Sequence, residues 1–160
     1  MPGDALYADV GTINYIRSEY AFSDAQKRGR WQVLMGRIRG RNSHLLSFHQ
    51  VVAEPRPIEA AYRGLQDIPL KQIVGSIGRD TEFTRHFFPL TREQRQKERW
   101  RTAFALTLSG AGYPPIEVFQ VDETYFVING HHRVSIASYL RWKTIQAHVS
   151  EVQLPVERQN

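Results

Sequence analysis

Hydrophobic residues recur at helical spacing through the first sixty positions of the chain. The positions with this spacing fall into two groups: Ile13, Ile16 and Tyr20, then Trp31, Leu34, Met35 and Ile38. Ser47 and Gln50 form a capping box that opens a further helical segment, and Pro55 with Pro57 ends it. We therefore predict a helical N-terminal extension over residues 1–60. Its apolar stripe is expected to pack against the rest of the chain or against a second copy in a homodimer.

The pattern changes after Gly64, where short apolar runs alternate with helical segments. In chain order it predicts a short strand over 68–74, a helix over 91–108, a hairpin of strands over 116–120 and 124–128, a helix after residue 130 and a strand over 145–149. A capping box of Thr91 and Gln94 opens the first of these helices, and Trp100 and Phe104 belong to its buried stripe. This order predicts a small α/β or α+β domain.

Composition restricts the classes of protein that fit. The 160 residues are 41% hydrophobic and include no cysteine. A folded core is therefore expected, and disulfides, thiolate metal sites and thiol nucleophiles are excluded. Residues 1–10 have no signal-peptide pattern, and no apolar run reaches the length of a membrane span. We expect a cytoplasmic protein without a membrane partner.

Basic residues are concentrated in the first two thirds of the chain. The formal net charge is +5, with seven basic and two acidic residues from Arg17 to Arg41 and six basic and two acidic residues from Arg85 to Arg101. This excess fits a solvated helix face, and it also fits contact with nucleic acid. The candidate contacts for DNA phosphates are Arg92, Arg95, Lys97 and Arg99. No segment resembles a base-reading helix, so DNA binding would be weak and non-specific.

The most informative motif is Asn129-Gly130-His131-His132-Arg133, between an apolar strand and a helical pattern. Gly130 allows a sharp turn and a close approach to a ligand. The helix that follows directs free backbone N–H groups and the positive end of its dipole toward this turn. Two imidazoles and a guanidinium there would form a site for an anion such as phosphate. The same residues also fit a purely structural turn.

Metal chemistry is not expected at this motif. Adjacent His131 and His132 cannot face the same way on a helix, and no cysteine or nearby aspartate completes a ligand set. The carboxylate cluster that a two-metal nuclease requires is also missing. A metal-dependent nuclease therefore ranks last among the candidate functions.

A series of motifs over residues 64–152 resembles the ParB/sulfiredoxin-like domain. The motifs are Ile68-Pro-Leu-Lys-Gln-Ile, a helix, Pro115-Ile-Glu-Val, a hairpin, Asn129-Gly-His-His-Arg-Val-Ser-Ile-Ala and a closing strand. The resemblance implies an α+β fold, in which a small mixed sheet with flanking helices follows the helical N-terminal extension. It also implies a nucleotide partner, a nucleoside triphosphate or diphosphate with or without Mg²⁺. The residues implied to contact its phosphates are Arg79, Asn129, Gly130, His131, His132 and Arg133.

This sequence departs from the family pattern at two positions, and each departure argues against one activity of the family. Sulfiredoxin activity requires a cysteine at the turn, where this chain has His131, so that activity is excluded. Some members carry Asp-Gly-His-His-Arg and include kinase-like proteins. Here Asn129 replaces the acid, which removes a candidate metal-binding or catalytic carboxylate.

Two functions from different classes remain. The first, which we favour, is a regulatory or DNA-associated module that binds a nucleotide. The alternative is a small-molecule phosphotransferase or NTP hydrolase of the ParB-like kinase type, with His131 or Glu117 as acid or base. The residues leave open whether any reaction is catalysed, because Glu117 could equally face solvent.

Overall fold

The computed structural model describes residues 2–52, 58–110 and 112–153, with side chains described from residue 11 onward. The helices are α1 (Pro2–Ile38), α2 (Phe48–Val51), α3 (Gln94–Leu108) and α4 (His131–Tyr139), with a 3-10 turn over Leu70–Gln72. The strands are β1 (Leu46–Ser47), β2 (Ala60–Pro69), β3 (Ile73–Ser76), β4 (Ile116–Val121), β5 (Thr124–Asn129) and β6 (Thr144–Val152). This arrangement confirms the predicted α+β class, a mixed sheet with flanking helices behind a long N-terminal helix.

The strands form one mixed sheet in the order β1-β3-β5-β4-β6-β2. β4 and β5 make the predicted antiparallel hairpin. β6 lies between β4 and β2, parallel to β4 and antiparallel to β2. β3 and β5 run parallel, with Ser76 opposite Val127. Because parallel strands end at the same edge of a sheet, the segments after Ser76 and after Asn129 leave the sheet side by side.

Helix α4 lies between the sheet and the other two long helices. Its Val134 and Ala137 join the buried cluster that covers the sheet. Ile136 instead joins the cluster that α1 and α3 form, in which Trp100 is completely buried. The Trp100 indole donates to the Ser135 hydroxyl at 2.8 Å, which satisfies its buried N–H and sets the position of α3 against α4.

The opposite face of the sheet carries a smaller apolar cluster around Phe48. This side chain is completely buried, and its ring centroid lies 5.3 Å from that of Phe119 and 5.5 Å from that of Phe126. Phe126 belongs to this cluster, and the next residue, Val127, belongs to the cluster on the other face. Successive side chains of a strand point to opposite faces of the sheet.

The prediction that residues 1–60 are helical is only partly correct. Residues 46–47 form β1, which pairs with β3, and β2 begins at Ala60. Ser47 occupies the predicted N-cap, but its side chain makes no capping hydrogen bond and α2 ends after one turn. A two-residue strand is too short to show a period-two pattern, so the sequence could not reveal it. Pro55 and Pro57 lie outside the described residues.

Of the two partners expected for the α1 stripe, the rest of the chain is ruled out by the exposure of the stripe, and a second copy stays a prediction. Tyr20 and Ile38 of that stripe are among the most exposed large side chains, at 75% and 70%. The face that α1 buries against the body carries the small side chains of Ser18, Ala21 and Ala25 together with the ring of Phe22. Small residues let two helices approach closely, a preference that hydrophobic periodicity does not register.

Two further boundaries differ from prediction. The strand predicted over 68–74 is divided between the end of β2 and the start of β3, because the 3-10 turn interrupts it. The helix predicted from Thr91 begins at Gln94, since the Thr91 hydroxyl accepts the Glu93 N–H and closes a turn before the helix. The predicted C-terminal end at Leu108 and the strand over 145–149 are both confirmed.

Candidate functional site

Gly130 is the turn at which β5 ends and α4 begins. Its φ angle is +104°, in a region that side chains with a Cβ rarely adopt. A Cβ at this position would lie 2.5 Å from Ile116 Cγ2 on the neighbouring strand. Backbone conformation and lack of space therefore both require glycine here. The prediction of a glycine turn directly before a helix is confirmed.

The first turn of α4 presents unpaired backbone donors. The carbonyl of Gly130 accepts the Val134 N–H at 3.1 Å, the first bond of the helix. The N–H groups of His131, His132 and Arg133 precede that bond and have no acceptor within the helix. Gly130 has no side chain to cap them. These donors and the positive end of the helix dipole together form an anion-binding geometry.

This helix start opens onto a cleft of about 620 Å³ between α4 and α3. Its lining consists of Arg79, Arg95, Glu98, Arg99, Thr102, Ala103, Tyr113, Asn129, Gly130, His131, His132 and Arg133. All six residues that the family resemblance implied as phosphate contacts line this one cleft. Their contact with phosphate stays a prediction.

Helix α3 supplies two arginines to the opposite wall. Arg95 and Arg99 are exposed, and neither makes an ion pair or hydrogen bond with another residue of the described ranges. The carboxylate of Glu98, which also lines the cleft, accepts hydrogen bonds from Gln94 and Arg101. The cleft therefore has an excess of positive charge. The sequence pattern assigned Arg95 and Arg99 to DNA contact on a separate element, and it did not reveal that the fold brings them to the glycine turn.

Arg79 reaches the cleft from the segment after β3, as the resemblance implied. Its guanidinium donates to Glu82 at 2.9 and 2.5 Å and to the Gln96 side-chain oxygen at 3.1 Å. It also lies over the Phe83 ring, 5.5 Å from the centroid. These contacts hold the guanidinium in place and neutralise part of its charge.

The His131 imidazole points into the core. It is 3% exposed, its Nε2 lies 2.6 Å from the Ser76 hydroxyl, and its ring stacks on Phe83. Burial, with the nearby Arg79 and His132, lowers the pKa of His131 to about 3. The ring is therefore neutral near pH 7, and the part of His131 that the cleft can use is its backbone N–H.

His132 is buried less completely and carries one unsatisfied atom. Its Nε2 lies 3.0 Å from the Gln96 side-chain oxygen. Its Nδ1 is buried and has no partner among the described residues. Burial first, then Arg79 and Arg99, lower the pKa of His132 to about 4. An anion in the cleft would oppose the effect of the two arginines and raise this pKa.

Arg133 holds the loop that precedes β4. Its Nη1 donates to the Pro115 carbonyl at 2.8 Å and also to the Pro114 carbonyl. The Tyr113 ring lies beside it, 5.7 Å from the guanidinium carbon. The sequence motif indicated phosphate as the partner of this side chain and could not indicate these carbonyls, since backbone acceptors leave no signal in the sequence. Arg133 therefore connects the start of α4 with the loop between α3 and β4.

Glu117 and Arg101 are not among the residues that line the cleft. Glu117 lies opposite Asn129 in the sheet, and its charge opposes the lowering of the Arg133 pKa by burial. It also lines a second depression with Tyr62 and His148. Arg101 is 5% exposed and donates to the Ser18 hydroxyl and the Tyr15 carbonyl. It therefore joins α3 to α1 and is not available to a nucleic acid. The catalytic role predicted for Glu117 stays a prediction.

The described ranges contain neither a candidate metal site nor a candidate membrane-spanning helix. No group of three or more histidine, cysteine, aspartate or glutamate side chains is arranged there to hold a metal ion. No helix of those ranges has the length and hydropathy needed to cross a membrane.

Comparison with known proteins gives little similarity. No protein-family model matches the chain, and no curated protein matches it. Among solved structures it is similar to sulfiredoxin from Arabidopsis thaliana, with 22% identity over 53% of this chain and 82% of that one. The TM-score is 0.36, and a likeness at this level carries no functional inference.

Proposed function

We propose that this chain is a nucleotide-binding module of the ParB/sulfiredoxin-like type, which holds the phosphates of a nucleoside triphosphate or diphosphate at the start of α4. One observation carries the proposal. A helix start with a glycine N-cap opens onto a cleft whose facing wall carries the exposed cations Arg95 and Arg99, which make no ion pair or hydrogen bond with the described residues. Backbone donors and exposed guanidinium groups directed at one space favour a multiply charged anion.

Each group has a distinct role in this proposal. The N–H groups of residues 131–133 bind phosphate oxygens. Arg99 and Arg95 neutralise the remaining charge, and Arg79 is a pre-positioned donor at the end of β3. The buried Nδ1 of His132 gains a partner if a ligand hydroxyl or protonated phosphate reaches it. The cleft volume lies within the range of small-molecule sites, about 300–1,000 Å³.

Magnesium enters this proposal only with the nucleotide. Glu98, the carboxylate that lines the cleft, is already bonded to Gln94 and Arg101. It is therefore a poor independent ligand for a hard cation, which prefers several free oxygen ligands. The phosphates would supply most of the ligands to Mg²⁺.

The positions of the candidate catalytic residues support binding over phosphotransfer. A histidine whose pKa is about 3 is a weak base at neutral pH, and His131 directs its ring at Ser76. Glu117 does not line the cleft, although it lies opposite Asn129 in the sheet and its charge acts on Arg133. We therefore keep the phosphotransferase as the alternative that a turnover assay would reveal.

Paired arginine variants test the proposal. Arg99 lines the cleft, whereas Arg92 is exposed near the N-terminal end of the same helix region and does not. Calorimetry with ATP, ADP, CTP, GTP and inorganic phosphate should find a ligand for the wild-type chain. Arg99→Gln should weaken its binding about 10- to 100-fold, the scale of one charge-assisted hydrogen bond, and Arg92→Gln should not. Equal affinities of both variants, or no ligand at all, would contradict the proposal.

Arg133 needs a separate experiment because it has structural partners. Arg133→Ala should weaken phosphate binding by about 1.5–3 kcal/mol if its guanidinium contacts the ligand, and Arg133→Lys should restore only part of that. The loss of the bonds to Pro114 and Pro115 should also lower the free energy of unfolding. A variant with lower stability and unchanged affinity would remove Arg133 from the ligand contacts.

A further inference from the structure

The apolar stripe of α1 faces solvent along most of the helix. Its exposed side chains are Ile13, Ile16, Tyr20, Trp31, Leu34 and Ile38, with exposed fractions from 46% for Ile13 to 75% for Tyr20. The stripe lies on the side of α1 opposite Phe22 and Ala25, which pack against the body of the protein. The stripe consists of two apolar groups, Ile13 to Tyr20 and Trp31 to Ile38, with polar residues exposed between them. Exposed groups of large apolar side chains on a helix are typical of an interaction surface.

The large apolar residues of the stripe are arranged with approximate two-fold symmetry. About a midpoint between Ala25 and Gln26, the mirrored positions are Ile13 and Ile38, Tyr20 and Trp31, and, within one residue, Ile16 and Leu34. Two of these three pairs are exact mirrors, whereas the exact mirror of Ile16 is Met35 and that of Leu34 is Arg17. An approximately self-complementary patch of this kind suits a two-fold interface, in which both subunits present the same surface.

The charges between the two apolar ends follow the same symmetry. Asp24 and Lys27 mirror one another, so each would face the opposite charge in an antiparallel pair of α1 helices. Lys27 of the second copy would there add to the partners that Asp24 has in its own chain, the Arg28 guanidinium and the Tyr139 hydroxyl. Glu19 would lie within two residues of a position opposite Arg30. In a parallel pair in register, Lys27 would instead face Lys27, and Asp24 would face Asp24. Opposite charges favour the antiparallel arrangement, and like charges act against the parallel one.

We propose that the occupant of the stripe is a second copy of this chain, with the two α1 helices antiparallel and a two-fold axis between Ala25 and Gln26. The stripe from Ile13 to Ile38 is about 38 Å long at the helical rise of 1.5 Å per residue. Apolar residues at both ends and oppositely charged residues at the centre fix the register as well as the direction. This inference is independent of the nucleotide site, because it uses no residue of the cleft.

A matched pair of leucine variants tests the surface. Leu34 belongs to the stripe and is 48% exposed, and Leu106 lies on α3 outside it and is 43% exposed. Light scattering coupled to size exclusion should give a dimer for the wild-type chain and for Leu106→Glu. Leu34→Glu should be a monomer with unchanged helix content by circular dichroism. A wild-type chain that is monomeric at its highest soluble concentration would overturn the proposal, as would a Leu34→Glu variant that remains a dimer.

Single cysteines test the direction, since the chain has none of its own. Tyr20→Cys and Trp31→Cys should form a disulfide with each other when the two proteins are mixed and oxidised. Tyr20→Cys alone should remain unlinked, because its own copy lies about 16 Å away along the antiparallel helix at 1.5 Å per residue. Linkage of Tyr20→Cys to itself would indicate a parallel pair and overturn the arrangement. A chain that stays monomeric but binds duplex DNA through the stripe would also overturn it.

Discussion

At the scale of single residues, burial determines which side chains of the His-His-Arg motif face the cleft. His131 directs its ring at Ser76 and Phe83, and Arg133 binds two backbone carbonyls. Both residues retain backbone N–H groups at the helix start. In the proposed site, anion binding would therefore depend more on the backbone of the motif and on the arginines of α3 than on the imidazole rings of the motif.

The depressed pKa of His131 predicts a loss of stability in acid. The pKa is about 3 in the folded state and about 6.5 in the unfolded state. Between these values the unfolded chain binds more protons, so stability rises with pH up to about 6.5 and is level above it. At pH 5 the loss relative to pH 7.5 should be about 2 kcal/mol for this residue. Urea unfolding of wild type and His131→Asn at both pH values should show a smaller loss in the variant.

Substitution of Gly130 should lower the free energy of unfolding, and the same substitution at Gly110 serves as a reference for the size of the effect. Gly130→Ala combines a positive φ with an overlap against Ile116, so it should cost about 2–4 kcal/mol. Gly110 has φ +72°, and a Cβ added there would meet no atom within 4 Å, so Gly110→Ala should cost only about 1–2 kcal/mol. Denaturant unfolding measures both. If both variants lost the same free energy of unfolding, the structure around Ile116 would accommodate the added methyl group without cost.

At the scale of elements, the short segment around Phe48 contributes more than its length indicates. β1 extends the sheet at its edge, and α2 places Phe48 on the face that α4 does not cover. The helices and the sheet therefore enclose apolar clusters on both faces of β5. The sequence before residue 60 supplies part of the cluster around Phe48, in addition to the long helix α1.

Substitution of Phe48 tests this contribution. Phe48→Ala removes a completely buried ring between Phe119 and Phe126, and it should cost about 3–5 kcal/mol. Leu46→Ala in the adjacent strand should cost less than about 1 kcal/mol, because Leu46 is 41% exposed. Thermal and urea unfolding measure both variants. A Phe48→Ala variant as stable as the wild type would mean that residues 46–51 do not contribute to the folded core.

At the scale of the whole molecule, nucleotide and nucleic acid would compete for the same arginines. Arg95 and Arg99 line the cleft and are also candidate DNA contacts. Weak, non-specific duplex binding that engages four phosphates should lose affinity with salt at a log–log slope of about −3.6. A nucleotide bound in the cleft should lower the affinity for duplex DNA, as measured by fluorescence anisotropy of labelled DNA at several salt concentrations. A salt-insensitive, sequence-selective complex would contradict this prediction.

The sequence alone determined the elements that depend on local interactions. The hairpin of β4 and β5, the end of α3 and the turn at Gly130 were all predicted. Alternation of side chains, helix-ending glycines and a glycine at a strand-to-helix turn act within a few residues. The family resemblance also implied that Arg79 lies near residues 129–133, and all six residues line one cleft.

Only the tertiary structure decided the features that depend on residues distant in the chain. It determined that α1 buries its small-residue face, that Arg101 bonds to Ser18, and that Arg95 and Arg99 lie across from Gly130. Periodicity shows that a helix has an apolar stripe, but the shape of the opposing surface decides which face is buried. Long-range contacts form where distant segments meet, so no pattern within either segment can reveal them.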